Sequence, residues 1–191
     1  MDAFSFEELL IENPVVGAIR NDSDLKKIIG SKVQIVFILY GSITSIKDIC
    51  DTLKKADKIV FIHVDMIDGL KSDQKGLEFI KQNANPFGII TTKQNNIKYG
   101  HKLGLYTIMR IFVIDSLSLE TGIKNIQAVS PNAVEVMPGI ASKIIRSLEK
   151  EIHLPIIAGG LINTKKEIME SISAGAMAVS TTAQELWELN N

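Results

Sequence analysis

No apolar run in the 191-residue sequence approaches the roughly 18 residues that a membrane-spanning helix needs. The opening stretch MDAFSFEELL is acidic where a secretory signal would be basic and then apolar. A single cysteine, Cys50, cannot close a disulfide within the chain, and on the pattern below it falls on a helix, where a buried apolar contact is its expected role. These absences exclude a membrane span and a disulfide framework, and set the expectation of a cytoplasmic protein. Charge of one sign is missing too: 21 Lys and Arg stand against 22 Asp and Glu, a formal net charge of −1. That excludes the strongly basic footprint of a dedicated nucleic-acid-binding domain, so any RNA binding must rest on a local patch. Finally, no G-x-G-x-x-G turn follows the first apolar segment, where VVGAIRNDSD (15–24) stands, which argues against a dinucleotide fold.

What is present has the composition of a globular chain, 46% hydrophobic and 23% charged, and the length of one well-buried core, so one domain over 1–191 is expected. Short β-branched runs recur at 15–19, 34–39, 59–64, 87–91, 106–111, 133–136, 156–158 and 178–181, each bounded by turn-forming residues. IVFIL (35–39) and PIIAG (155–159) are apolar at nearly every position, as parallel strands covered on both faces are. Segments 22–30, 43–56, 72–83, 94–104, 117–129, 140–151 and 165–175 have helical apolar spacing, and 183–189 reads as a closing helix. Thr164 with Glu167 forms a capping box, Ser72 and Asp73 can cap the third of these helices, and Gly30, Gly104 and Gly175 stand where left-handed helix ends belong. Eight strand and helix units satisfy the right-handed crossover rule as a closed (β/α)8 TIM-type barrel, a small one with minimal loops.

In such a barrel the functional face lies just past the strands' C-terminal ends. There stand Arg20, His63, Asp65, Thr92, Lys93, Arg110 and Glu135, which would converge on one mouth. AGGL (158–161) and VSTT (179–182) end the last two strands, where barrels hold phosphate with backbone N–H groups. Gly159 and Gly160 allow close backbone approach, and the hydroxyls of Ser180, Thr181 and Thr182 add donors. The PGI turn (138–140) offers a further amide-rich helix start or a plain rigid loop. Catalytic candidates are poor. Lys93 is the only lysine placed for a Schiff base and has no carboxylate beside it in sequence, while His63 and Asp65 lack a recognisable third metal ligand.

The ordered set PVVGAIR (14–20), FIHVDMIDGLKSD (61–73), FGIITTK (87–93), TIMRIFVIDSLSLE (107–120), AVEVMPGI (133–140), IIAGGLI (156–162) and AGAMAVSTTAQELW (174–187) resembles the glycerol uptake operon antiterminator regulatory proteins across nearly the whole chain. The resemblance implies a compact barrel that senses glycerol 3-phosphate, has no catalytic turnover or cofactor, and binds a leader mRNA so that transcription passes a terminator. It places the effector's phosphate on Gly159, Gly160, Ser180 and Thr181, and its hydroxyls among Arg20, His63, Asp65, Arg110 and Glu135.

The span 79–114 contains Lys81, Lys93, Lys98, Lys102 and Arg110 without one acidic residue. Lys98 and Lys102 share a helix face, and Tyr99 between them can stack on an unpaired base or pack inward. The RNA-binding candidates are therefore Lys93, Lys98 and Lys102, and a homodimer would add a second patch to the first. Two alternatives stay open: a small phosphosugar isomerase or epimerase with Asp65 and Glu135 as acid and base, and a ligand-binding barrel whose partner is a protein.

Overall fold

A strand that is apolar at every position needs an apolar environment on both faces. The computed structural model, which describes residues 5–190, provides it by closing eight parallel strands into a barrel in sequence order. They are β1 (Val15–Ile19), β2 (Ile35–Ile38), β3 (Ile59–His63), β4 (Gly88–Thr91), β5 (Tyr106–Phe112), β6 (Ala133–Met137), β7 (Ile156–Gly159) and β8 (Ala178–Thr181). The ring closes where Val15 lies opposite Val179 and Gly17 opposite Thr181. Seven helices connect and cover them: α2 (Asp22–Ile28), α3 (Ile46–Lys55), α4 (Gln74–Asn83), α5 (Gln94–Lys102), α6 (Ser116–Val129), α7 (Ser142–Glu151) and α8 (Lys165–Ser173). The (β/α)8 expectation holds, and each expected strand lies within one residue of an observed one at either end.

Strand alternation divides the core into two layers. Val16, Ala18, Phe37, Phe61, Ile90, Ile108 and Ile157 fill the barrel, while Ile19, Val36, Ile62, Ile89, Val134 and Val179 face the helices. Cys50 joins the outer layer on α3, where burial pushes its thiol up to about 12, well out of the reactive range.

Helix ends differ from expectation in instructive ways. The Thr164 box forms as read, and Asp73 caps α4 by accepting from the Gly76 N–H, but Ser72 is used elsewhere. Gly104 and Gly175 have φ of 66° and 112°, whereas Gly30 has no positive φ, because α2 ends at Ile28 and Ile29 stays right-handed. The closing helix is a short 3-10 turn, Gln184–Glu188. It is fixed by Trp187, whose Nε1 donates to the Thr181 carbonyl at 3.1 Å, and by Asn190, whose amide pairs with both the N–H and the carbonyl of Val15.

One helix was not expected from the apolar periodicity. Helix α1 (Phe6–Glu12) opens on a capping box in which Ser5 accepts from the Glu8 N–H and Glu8 accepts from the Ser5 N–H. It stoppers the N-terminal end of the barrel. Phe6 packs 5.7 Å from Phe61 and 5.2 Å from Tyr106 between ring centroids, and Leu10 is fully buried behind it. Aromatic residues are scarce in this chain, and Phe6, Phe37, Phe61, Phe87 and Tyr106 are gathered at this one end. The Phe6→Ala substitution should therefore cost about 3 kcal/mol, since it removes a buried ring from the centre of this aromatic cluster. Urea unfolding would read this as a lower midpoint at an unchanged slope, and an unchanged midpoint would show that α1 lies on the barrel without stabilising it.

Candidate functional site

At the opposite end the interior turns polar without a change of register. His63 stands two residues beyond Phe61, Arg110 two beyond Ile108, Glu135 two beyond Ala133, Gly159 two beyond Ile157 and Ser180 two beyond Ala178, so alternation carries each of them inward. Glu135 is fully buried at the centre of this layer. Its Oε2 accepts from Arg110 Nε at 2.6 Å, and its Oε1 accepts from the Ser180 hydroxyl at 2.6 Å. Gly159 makes room for this arrangement: a Cβ there would come within 2.6 Å of Glu135 Oε1 and 2.7 Å of Ser180 Oγ. A buried ion pair is tolerable only when its remaining lone pairs and protons are also matched.

On the carboxylate side the match is complete, and on the cation side it is not. Arg110 Nη2 and His63 Nδ1 are buried and have no hydrogen-bond partner among the described residues. Burial, and then the Arg110 charge, push the His63 imidazole down to about 4, so at neutral pH it is an uncharged group beside a guanidinium.

Above this layer opens a cavity of 370 Å³, lined by Ala18, Arg20, Leu39, Arg110, Met137, Ser180 and the 160–163 and 181–182 segments. Gly160 and Leu161 are consecutive left-handed residues, with φ of 77° and 62°. No hydrogen bond among the described residues uses the N–H of Gly160, Leu161, Ile162 or Thr182. Arg20 stands at the edge, its backbone held by Asp24 and its Nη2 3.4 Å from Thr182 Oγ1.

Two of the three hydroxyls read from the sequence as anion donors are already committed. Ser180 gives its proton to Glu135, while Thr181 donates to the Ile162 carbonyl at 2.7 Å and accepts from the Ala183 N–H. Both brace the 159–162 turn, and the donors left uncommitted among the described residues are these backbone N–H groups and the Thr182 hydroxyl. The PGI turn is a brace as well. The Gly139 N–H donates to the Gly159 carbonyl and its own carbonyl accepts from Ser171, while α7 begins only at Ser142.

Asp65 does not line this cavity. The chain leaves β3 through a 3-10 turn, Val64–Met66, that brings its carboxylate to the Ser72 hydroxyl, the Thr91 and Thr92 hydroxyls and the Thr92 N–H. Asn96 on α5 donates to Ser72 and Thr91 in turn. Burial would raise the Asp65 carboxyl, but these hydrogen bonds outweigh it and hold the group below the usual carboxylate range. Lys93 Nζ lies 3.6 Å from Asp65, a carboxylate that its sequence neighbours did not reveal, but the lysine side chain is 54% exposed, unlike a Schiff-base lysine. Asp65 and Glu135 are thus held by separate sets of partners, and among the described residues no cluster of three or more His, Cys, Asp or Glu side chains could hold a metal ion.

On α5, Lys98 and Lys102 are exposed and Tyr99 is half-buried, with Lys102 Nζ 5.8 Å from its ring centroid. Arg110, counted in the same basic window, belongs to the interior instead.

Two outcomes follow from the polar layer. Glu135→Gln should lose about 3 kcal/mol in urea unfolding, because it leaves the Arg110 charge buried without its counterion. A loss below about 1 kcal/mol would mean that solvent already neutralises that guanidinium. The unfolded chain protonates His63 near 6.5 and the folded chain only near 4, so wild-type stability should fall by roughly 3 kcal/mol as pH drops through that window. In His63→Gln this slope should vanish while the steeper loss below about pH 4, where carboxylates such as Asp65 protonate, remains. Parallel profiles for the two proteins would refute the buried neutral imidazole.

The glycerol-3-phosphate responsive antiterminator family matches residues 15–187. The Escherichia coli K12 protein YgcP is 34% identical over 181 residues, 95% of either chain. The structure of a glycerol uptake operon antiterminator regulatory protein from Listeria monocytogenes is 32% identical, covers 91% of this chain and 94% of its own, and superposes with a TM-score of 0.88. A related Thermotoga maritima protein gives 31% identity, coverage of 92% and 98%, and a TM-score of 0.82. An N-acetylmannosamine-6-phosphate 2-epimerase from Clostridium perfringens shares the fold at a TM-score of 0.71 but only 14% of the sequence. The chain, matched from its first barrel strand to the tryptophan that locks the last, belongs to the glycerol-3-phosphate responsive antiterminator family.

Proposed function

We propose that this protein is a transcription regulator that binds glycerol 3-phosphate at the C-terminal mouth of the barrel and, when loaded, holds the leader mRNA of a glycerol utilisation operon so that transcription passes a terminator. The observation that carries the effector half is the cradle: uncommitted N–H groups at Gly160, Leu161, Ile162 and Thr182, with Arg20 at the rim, around a cavity sized for a small molecule. Backbone donors in a concave run suit a phosphate dianion, and an arginine beside them adds charge without fixing the ligand's other end. The commitment of both carboxylates to protein hydrogen bonds speaks for binding over acid and base chemistry. The RNA half rests on family membership and on the exposed Lys98 and Lys102 of α5, with Lys93 drawn toward Asp65 at the near edge. Two copies acting together would combine two such faces on one RNA.

Melting with glycerol 3-phosphate, glycerol and inorganic phosphate at matched ionic strength tests the effector. At about 100 times its Kd the effector should add roughly 2.7 kcal/mol, a shift of roughly 5–10 °C for this size. Glycerol alone should give none. Retention of leader RNA should require the effector, weaken steeply with salt, and lose roughly one unit of salt slope for each of Lys98→Glu and Lys102→Glu. Turnover of the effector by pure protein, or RNA retention indifferent to it, would overturn the reading.

A further inference from the structure

We infer that the outer face of α6 is a contact between two copies of this chain, packed with their α6 helices antiparallel about a twofold axis. Such a contact supplies the surface that the two-copy reading of RNA binding leaves unnamed, and it does not depend on what the mouth binds.

A helix that covers a barrel keeps its apolar residues on one side and turns charge to solvent. Helices α3 and α7 do so with five charged residues in ten. The longest helix, α6, carries only Glu120 and Lys124 in 14 residues. Its apolar residues run most of the way round: Gly122, Ile126 and Val129 are buried, Leu119 and Ile123 half-buried, and Leu117 is 71% exposed. In the turn before it Ile114 is 86% exposed, and Phe112 is exposed beside it. That turn is held in place, because Asp115 caps α6 by accepting from the Ser118 N–H and the Ile114 N–H donates to Ser118 Oγ at 3.0 Å. An open groove flanks the helix on each side, 460 Å³ toward β5 and 530 Å³ toward α7. A held, apolar surface nearly free of charge has the character of the buried centre of a protein contact.

The two charges name the occupant. Glu120 and Lys124 stand four apart, in the order that favours an ion pair along a helix. Such neighbours do pair elsewhere on the surface, as Lys47 with Asp51 and Lys166 with Glu170. Among the described residues no ion pair uses Glu120 or Lys124, nor Lys150 and Glu151 on the far rim of the α7 groove. One charge of each sign on one helix face complements the same face turned end for end. With the axis level with Gly122, Glu120 of each copy meets Lys124 of the partner subunit, so the pair forms twice. Leu117 then covers the groove lined by the partner subunit's Ile123 and Gln127. Helices running in the same direction would instead set each charge against its own copy. The face has no surplus of cations with which to hold a nucleic acid.

An axis that lies in the contact and crosses α6 leaves the neighbouring α5 helices on the same side of the pair. The exposed Lys98 and Lys102 of two copies therefore form one basic surface.

Sedimentation equilibrium of the intact chain across the micromolar range tests the contact. The wild-type chain should dimerise, and Leu117→Asp should leave it monomeric. Glu120→Lys sets lysine against lysine at both pairs and should weaken association at least about tenfold, while Glu120→Lys combined with Lys124→Glu should recover most of it. Both charged positions are exposed in the single chain, so these variants should keep the wild-type melting profile, and they decide even if Leu117→Asp folds poorly. A dimer indifferent to Glu120→Lys, or one that the double reversal does not restore, would overturn the antiparallel contact. A chain monomeric throughout would overturn it as well. If Leu117→Asp then weakened leader-RNA retention, the face would belong to RNA, and otherwise to a different protein.

Discussion

A carboxylate buried on the axis of a barrel must be neutralised by groups that the barrel itself supplies, and this constraint organises the functional end of the molecule. Glu135 draws Arg110 across from the adjacent strand and the Ser180 hydroxyl from two strands further on, each at 2.6 Å. Because both partners grow from strands, the layer is as rigid as the sheet. It also explains the glycine at 159: β7 runs between β6 and β8, and any side chain there would occupy the space in which Glu135 and Ser180 meet. That glycine in turn leads into the left-handed pair at 160 and 161, braced from below by the Gly139 N–H on the Gly159 carbonyl. The left-handed turn at 160–161 and the polar layer are thus two consequences of one buried charge. An apolar residue at 135 would free Arg110, Ser180 and position 159 of their common purpose.

The strands were legible because continuous apolar runs bounded by turn residues leave few other placements, and IVFIL and PIIAG became β2 and β7 almost unchanged. Helix α1 was missed for a physical reason. It has seven residues and buries mainly Phe6 and Leu10, too few for a periodicity to show. The Ser5 and Glu8 capping box was its only local signal, and its stability comes from the aromatic end of a barrel assembled from residues far along the chain.

The site was legible where strand alternation persists and illegible where it stops. His63, Arg110, Glu135 and Ser180 each follow an interior apolar residue by two, so the sequence placed all of them inward. Beyond a strand's last residue that rule lapses. Asp65 lies in a 3-10 turn, and its direction was decided by Thr91 and Thr92, 26 and 27 residues away. Thr181 shows the same limit from the other side: one residue after Ser180, it faces away from the polar layer and ties Ile162 to Ala183. Hydroxyls and carboxylates announce themselves in sequence by type, but whether they are free to meet a ligand depends on partners that only the folded chain brings near.

That distinction bears on what the mouth can do. A group that moves protons needs a lone pair or a proton that it can surrender during the reaction. Glu135 could take a proton only by releasing Arg110 or Ser180, and either release would unpair a buried polar group at a cost of order 1–3 kcal/mol or more. Asp65, held below the usual carboxylate range by the Ser72 hydroxyl, the Thr92 N–H and the Thr91 hydroxyl, is an equally reluctant acceptor. The groups left without a partner among the described residues are a guanidinium nitrogen and an uncharged imidazole nitrogen, neither of them a carboxylate. A barrel whose carboxylates are spent on holding its own walls in place is better suited to recognising a ligand than to changing it.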